Sequence, residues 1–359
     1  MNNFPSGKVM SRPMEYPQLW FTYGPKTTTD CVVRDLIEAG ATGARFTFSF
    51  GTSELQVERA RQVRRIADEI GTKLFLVADL QGEKCRLCKI DNVDEIRVRK
   101  EQQLVLTSGA ADLSGERLVV SVQGGSLMHD VKANDVLVEG DGGMLLRIVR
   151  IEKDGVACQP LWDGVIHPGR GLVLRSAQFR PQAVTEKDVR DLASICSSNA
   201  FDAVAVSFVS GPSDINKVRQ LLSKSSLEVI AKIETGPGLS EINDIAAIAD
   251  GLLAARGDLA LSMPWEDLFS AVETISAAAS RHGRPWILAT QLVEGLERFA
   301  FPTRAEICDL AHWTKVGAFG AMLSYETAFG PRPVEAVACV RRVMQRYRDC
   351  NRIEQSKEA

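Results

Sequence analysis

Two short stretches carry more charge than turns and packing require. Lys232 and Glu234 stand two apart in EVIAKIE, and the apolar run GLLAA breaks off in Arg256, Gly257 and Asp258. A strand that only had to turn could finish on Asn-Gly or Pro; a carboxylate beside a glycine needs another reason. Further apolar runs end alike, on Thr22, Arg45, Asp79, Ser207, Thr290, and on Ser324 with Glu326. Carboxylates, cations and hydroxyls gathered in one place are the groups that bind and transform a charged substrate. Taken singly they have plain structural readings, Asp258 as a helix N-cap and Lys232–Glu234 as a rim ion pair. Their common register is what those readings do not explain.

The elements that position them follow from periodicity. β-rich apolar runs fall at 19–24, 43–49, 73–79, 202–208, 228–234, 250–256, 284–290 and 318–324. Apolar residues three and four apart predict helices over 28–39, 53–70, 186–198, 213–224, 239–249, 265–281, 303–316 and 333–348. Thr185 before Glu186, Ser213 before Asp214 and Pro333 in a first turn are start signals. Eight strand–helix units predict the α/β class and a (β/α)8 TIM barrel, a fold that carries its chemistry at the C-terminal strand ends. No glycine-rich dinucleotide fingerprint follows the first strand. Residues 87–180 interrupt the alternation with β-rich pieces split by Gly and Asp turns, and nothing there reads as a long helix. The expected organisation is a barrel of 1–86 and 179–359 with a small all-β domain, 87–178, inserted after strand three.

Composition sets limits. The chain has 359 residues, 45% hydrophobic and 25% charged, with a net charge of -3, so it lacks an electrostatic footprint for nucleic acid. No apolar run reaches the ~18 residues of a membrane span. The first residues, MNNFPSGKVMSRPMEYPQ, lack the apolar core of a signal peptide, which predicts a flexible leader over 1–16 on a cytoplasmic protein. Most of the eight cysteines lie in apolar contexts and read as buried free thiols. Cys85 and Cys88 form a lone CxxC without a second pair, and His129, His167, His282 and His312 show no ligand spacing.

AKIETGPGLSEINDIAAIADGLLAARGDLAL, ILATQLVEGL, FPTRAEICDLA and GAMLSYETAFGPRPVEAV together resemble the catalytic barrel of pyruvate kinase. AVTEKDVRDL and AVSFVSGPSDINKVRQLL match its connecting segments, and GARFTFSFGTSE an early motif. The likeness runs from about residue 19 to 348, the inserted β domain corresponding to the family's mobile lid and the chain stopping short of its C-terminal regulatory domain. The resemblance implies a metal-dependent enzyme acting on phosphoenolpyruvate, pyruvate or a related 2-keto acid, with phosphoryl transfer and an enolate intermediate. It implies Mg2+ or Mn2+ on Glu234 and Asp258, with Lys232 and Arg45 on the phosphoryl group. Gly257, Asp258 and Thr290 would seat the keto-acid carboxylate, and Ser324 with Glu326 would serve the proton relay. Ser49 and Asp79 would form a weakened K+ site, and Arg86 and Arg170 stand on the nucleotide side.

That nucleotide side departs from the family pattern. Thr47 replaces an asparagine of the monovalent site, Phe50 a histidine, Leu55 a stacking aromatic residue, and Gln81 a lysine. In the lid, Gly140-Asp141 stands for paired aspartates and Arg170 for a lysine, while Ser262 replaces a glutamate after the Gly-Asp motif. Keto-acid and metal positions persist where nucleotide and activating-cation positions are eroded. Two other functions compete with phosphoryl transfer: a lyase, aldolase or decarboxylase, that uses a pyruvate enolate without nucleotide, and a non-catalytic keto-acid sensor. Oligomeric state stays open, a homo-oligomer included.

Overall fold

The computed structural model describes residues 18–358, apart from 125–130, 177 and 224. The expected flexible leader at 1–16 and His129 lie outside the described residues. Eight parallel strands close on themselves: β1 (Gln18–Thr22), β2 (Gly43–Thr47), β3 (Phe75–Asp79), β4 (Ala203–Val206), β5 (Glu228–Ile233), β6 (Gly251–Ala255), β7 (Trp286–Ala289) and β8 (Gly320–Met322), with β8 pairing back onto β1. This is the expected (β/α)8 barrel of the α/β class.

Strand pleating explains the polar strand ends. Side chains alternate between faces, so every second residue of a barrel strand points inward. Trp20, Phe75, Val77, Ala203, Ala205, Ile230, Leu253, Ile287 and Met322 belong to one buried cluster, the barrel interior. Their neighbours Phe21, Leu76, Val204, Ala231, Leu252 and Leu288 belong to the cluster packed under the helices. Followed upward, the inward parity reaches Thr22, Asp79, Ser207, Lys232 and Ser324. On β2, Ala44 and Phe46 face the helices, which turns Arg45 inward. The common register is therefore the top layer of the barrel interior, where apolar packing gives way to charge.

Helices occupy the expected stretches with local differences. Thr185 heads the helix Glu186–Ser198 in a reciprocal cap with Asp188, and Thr303 does the same with Glu306 for Arg304–Val316. The helix expected to start after Ser213 starts instead on Pro212 behind Gly211, because proline's fixed φ suits a first turn. The span expected at 239–249 is two pieces, Gly236–Ser240 and Ile242–Ile248. Cys85, Cys158 and Cys339 are buried, but Cys31 and Cys308 are exposed because they lie off the buried stripes of their helices. Among the described residues no helix is long and apolar enough to cross a membrane.

Between β3 and its helix, residues 86–174 form a seven-stranded sheet and a two-stranded one, with no helix among the described residues. They bury their own apolar cluster, including Leu104, Val120, Leu137, Leu146 and Val156, apart from the two barrel clusters. The chain enters and leaves this sheet side by side. Glu83 N donates to Gln182 O at 2.9 Å, and Gln182 N returns to the Glu83 carboxylate at 3.0 Å. The amides of Gln81 and Gly82 donate to Asp188 at 3.0 and 3.3 Å.

Candidate active site

At the tops of β3 and β5 three charged side chains are nearly sealed from water, with Asp79 2%, Lys232 7% and Glu234 3% exposed. Lys232 Nζ donates to Ser207 Oγ at 2.7 Å and lies 3.1 Å from Asp79 Oδ1 and 3.2 Å from Glu234 Oε1. Arg45 Nε donates to Asp79 Oδ2 at 2.6 Å, and a second arm reaches Thr22 Oγ1 at 3.2 Å. The other oxygen of Glu234 accepts from the Phe208 amide at 2.8 Å. Asp258 follows β6 in the short helix Arg256–Ser262, and Lys84 Nζ sits 2.9 Å from both of its oxygens.

Burial alone disfavours a carboxylate's charge, and neighbours decide the outcome. At Asp79 burial is outweighed by the Lys232 ammonium and then the Arg45 guanidinium, which hold the carboxyl below its ordinary range. At Asp258 burial is outweighed chiefly by Lys84. Glu234 goes the other way: burial raises its pKa, Lys232 offsets only part, and the charge on Asp258 adds to the rise. Burial works against the Lys232 ammonium too, but Asp79 and Glu234 prevail and keep it charged.

Glu234 and Asp258 are thus hard oxygen donors at adjacent strand ends, and the charge of Glu234 is disfavoured by burial and by Asp258. Among the described residues no three Asp, Glu, His or Cys side chains converge as a ready metal cluster. A divalent cation there would draw on two protein carboxylates, with water and substrate oxygens completing the shell, an arrangement that suits Mg2+. The residues present fit such an ion. At the expected monovalent site, Asp79 already faces two internal cations, and the Ser49 amide donates to Thr47 Oγ1 at 3.4 Å.

A cavity of about 760 Å³ opens over this layer. Arg45, Lys232, Glu234, Gly257, Asp258 and Thr290 line it, as do Ser49, Asp79, Ser324, Glu326, Arg86 and Arg170. The residues singled out in the sequence are brought to one space. Their local roles differ. A Cβ at Gly257 would stand 3.3 Å from Thr290 Cγ2, so glycine leaves room there for a ligand. Glu326 is 3% exposed and accepts from the backbone amides of Leu292 and Ser324, both at 2.9 Å, which ties the segment after β7 to the one after β8.

The opposite wall is apolar and open. Phe50 is 56% and Leu55 37% exposed, the Arg86 guanidinium lies 5.5 Å from the Phe50 ring, and Tyr325 stacks on Phe329 at 5.1 Å. Arg170 stands 3.6 Å from Asp141 across the lid side. Sequence reasoning missed three contributors: Lys84, Arg256 and the Tyr325–Phe329 pair. Lys84 lies in the connection between β3 and the inserted sheet, which has no periodicity, so no pattern marks it as facing Asp258.

The family model described as pyruvate kinase, barrel domain, matches residues 17–337. The pyruvate kinase of Thermococcus litoralis is 30% identical over 345 residues, covering 95% of this chain and 72% of the relative. Pyruvate kinase 2 of Synechocystis is 32% identical over 330 residues, 90% of this chain and 55% of the relative. The pyruvate kinase of Mycobacterium tuberculosis is 32% identical over 325 residues, 90% of this chain and 68% of the relative. With the barrel, the charged layer and these likenesses in agreement, the chain belongs to the pyruvate kinase family of phosphotransferase enzymes.

Proposed function

We propose that this chain transfers the phosphoryl group of phosphoenolpyruvate to an acceptor, through a pyruvate enolate, with Mg2+ or Mn2+ held by Glu234 and Asp258. The observation that carries the reading is Lys232, a buried ammonium kept charged by Asp79 and Glu234 beside the guanidinium of Arg45. Two fixed cations under an open cavity suit a group that carries negative charge throughout its transfer. A divalent ion held by Glu234 and Asp258 would supply Lewis-acid stabilisation of developing oxygen charge. The protein groups do the rest. Arg45 offers planar donors to phosphoryl oxygens, and Lys232 neutralises them as the P–O bond to the enol oxygen breaks and a bond to the acceptor forms. The electron pair of the broken bond stays on the enolate, whose carbon then takes a proton by way of the Ser324 hydroxyl. Glu326 fixes the backbone that carries Ser324. Thr290 and the space above Gly257 hold the substrate carboxylate.

The acceptor side favours weak nucleotide binding, because Phe50 and Leu55 offer neither a phosphate donor nor a tyrosine-like stack. A monovalent cation at Ser49 and Asp79 would compete with Arg45 and Lys232 for one carboxylate. Residues 87–178 act as a lid that excludes water from the enolate.

The half-reaction provides the test. With Mg2+ and no nucleotide, the methyl protons of pyruvate should exchange with D2O, read by NMR, faster than in a metal-only control. Exchange at the control rate would overturn the enolate chemistry.

A further inference from the structure

We propose that Arg256 is a positioning residue that, together with Glu326, holds Thr290 in a left-handed backbone conformation and so turns its side chain into the cavity above Gly257. The inference rests on the phosphotransferase reading above, in which Thr290 meets the substrate carboxylate.

Pleating sends Thr290 the wrong way for that task. Ala289 belongs to the barrel-interior cluster, so the next residue of a regular strand faces the helices. Thr290 nevertheless lines the mouth, with Cγ2 3.3 Å and Oγ1 3.5 Å from the position a Cβ on Gly257 would take. Two successive residues at positive φ make the reversal, Thr290 at 74° and Gln291 at 52°. For a β-branched residue this region is a genuine outlier, and it persists only where the surroundings over-determine it.

Here they do. Arg256 Nε donates to Ala289 O at 3.1 Å and a terminal nitrogen donates to Thr290 O at 2.6 Å, so one guanidinium grips consecutive carbonyls at the reversal. Its remaining arm is anchored on Asp309 at 2.5 Å, whose other oxygen accepts the Trp313 indole N–H at 2.8 Å. Beyond the reversal, Glu326 Oε1 accepts from Leu292 N at 2.9 Å and Val293 N at 3.5 Å. The segment is pinned on both sides. Arg256 is not among the residues lining the mouth cavity, so it acts through the backbone it holds. A lysine keeps the charge but lacks the planar fork that spans two carbonyls.

A double-mutant cycle on phosphoenolpyruvate consumption tests this. Arg256→Lys should lower kcat/KM on the order of a hundredfold, the scale of an ångström-sized misplacement. Added to Thr290→Ala it should cost nothing further. Gln291→Gly in the Arg256→Lys background should recover about tenfold, since glycine adopts positive φ freely. Mn2+ affinity by calorimetry should stay within about twofold, because Glu234 and Asp258 are held by other groups. Multiplicative losses in the cycle, or no recovery with glycine, would overturn the proposal. If Arg256→Lys does not fold, Asp309→Asn, which removes the anchor, goes through the same cycle, and multiplicative losses there overturn it equally. A wild type that turns over neither phosphoenolpyruvate nor pyruvate protons would sink the phosphotransferase reading alone. The 13C shifts of labelled Thr290 then decide the clamp without turnover: movement on Arg256→Lys or Asp309→Asn supports it, and unchanged shifts overturn it.

Discussion

On one wall of the barrel mouth Asp79, Lys232 and Glu234 are buried and mutually paired, while on the other Phe50, Leu55, Tyr325 and Phe329 show between 37% and 56% of their surface to solvent. The first wall is an interlocked set: Arg45 needs Asp79, Lys232 needs both acids, and removing one strands its partner in a dry site. The second wall is a set of exposed side chains joined by ring contacts, Tyr325 on Phe329 and Arg86 by Phe50, each replaceable at little cost to the fold. Two of the positions at which the sequence departs from the family motifs, Phe50 and Leu55, stand on this second wall, where change is cheapest.

The largest effect that could break this contrast is at Asp258. Asp258→Ala should lower turnover by about a thousandfold or more, and with Glu234→Ala should abolish Mn2+ binding by calorimetry, since the pair supplies the hard oxygens. Unchanged Mn2+ affinity in the double variant would remove the metal from this wall.

Next in size is Asp79→Asn, which leaves Lys232 and Arg45 short of a carboxylate. It should cost about 3 kcal/mol in urea unfolding. Leu55→Ala on the open wall should cost well under ~1 kcal/mol. Because the Asp79 carboxyl is held below its ordinary value, its contribution is complete above the ordinary carboxylate range and disappears as pH falls through the depressed value. The stability gap between wild type and Asp79→Asn should therefore narrow in acid. A gap that widens on acidification would contradict the pairing.

A gain on the open wall sharpens the comparison from the other side. Phe50→His with Leu55→Tyr restores a phosphate donor and a ring, and should tighten ADP about tenfold by calorimetry. Micromolar ADP binding by the wild type would instead make the two walls equally functional. The smallest effect is expected at the hinges: pyruvate with Mg2+ should slow amide exchange a few-fold at Arg86–Lys89 and near Pro181. Hinges indifferent to both ligands would leave the lid without a closing role.

The charged layer was legible in the sequence because each apolar run breaks off in a polar residue, and Thr22, Arg45, Asp79 and Lys232 were picked out on that ground. Their inward parity was not, because strands buried on both faces show no alternation. Thr290 was picked out as a strand end too, but its inward turn depends on φ values that no pattern announces. Lys84 was overlooked because its partner, Asp258, is 174 residues away and the connection after β3 has no period. Glu326 was expected in the proton relay, yet its oxygens are taken by amides from two loops, contacts that exist only once β7 and β8 are neighbours. Cys31 and Cys308 show the limit of reading burial from apolar surroundings, since one helical step decides which side a residue faces.

The side-by-side passage of Glu83 and Gln182 has a topological meaning of its own. Their direct hydrogen bonds close the intervening stretch at its neck, and Asp188 fastens the first strand of that neck to the first turn of the next helix. A chain could step from one side of the neck to the other without altering the barrel. Closing so long a loop costs little more than closing a short one, because the entropy grows only with the logarithm of length. The barrel is thus stitched shut along a seam, and what hangs from the seam can be lengthened, shortened or exchanged as a cassette without unpicking it.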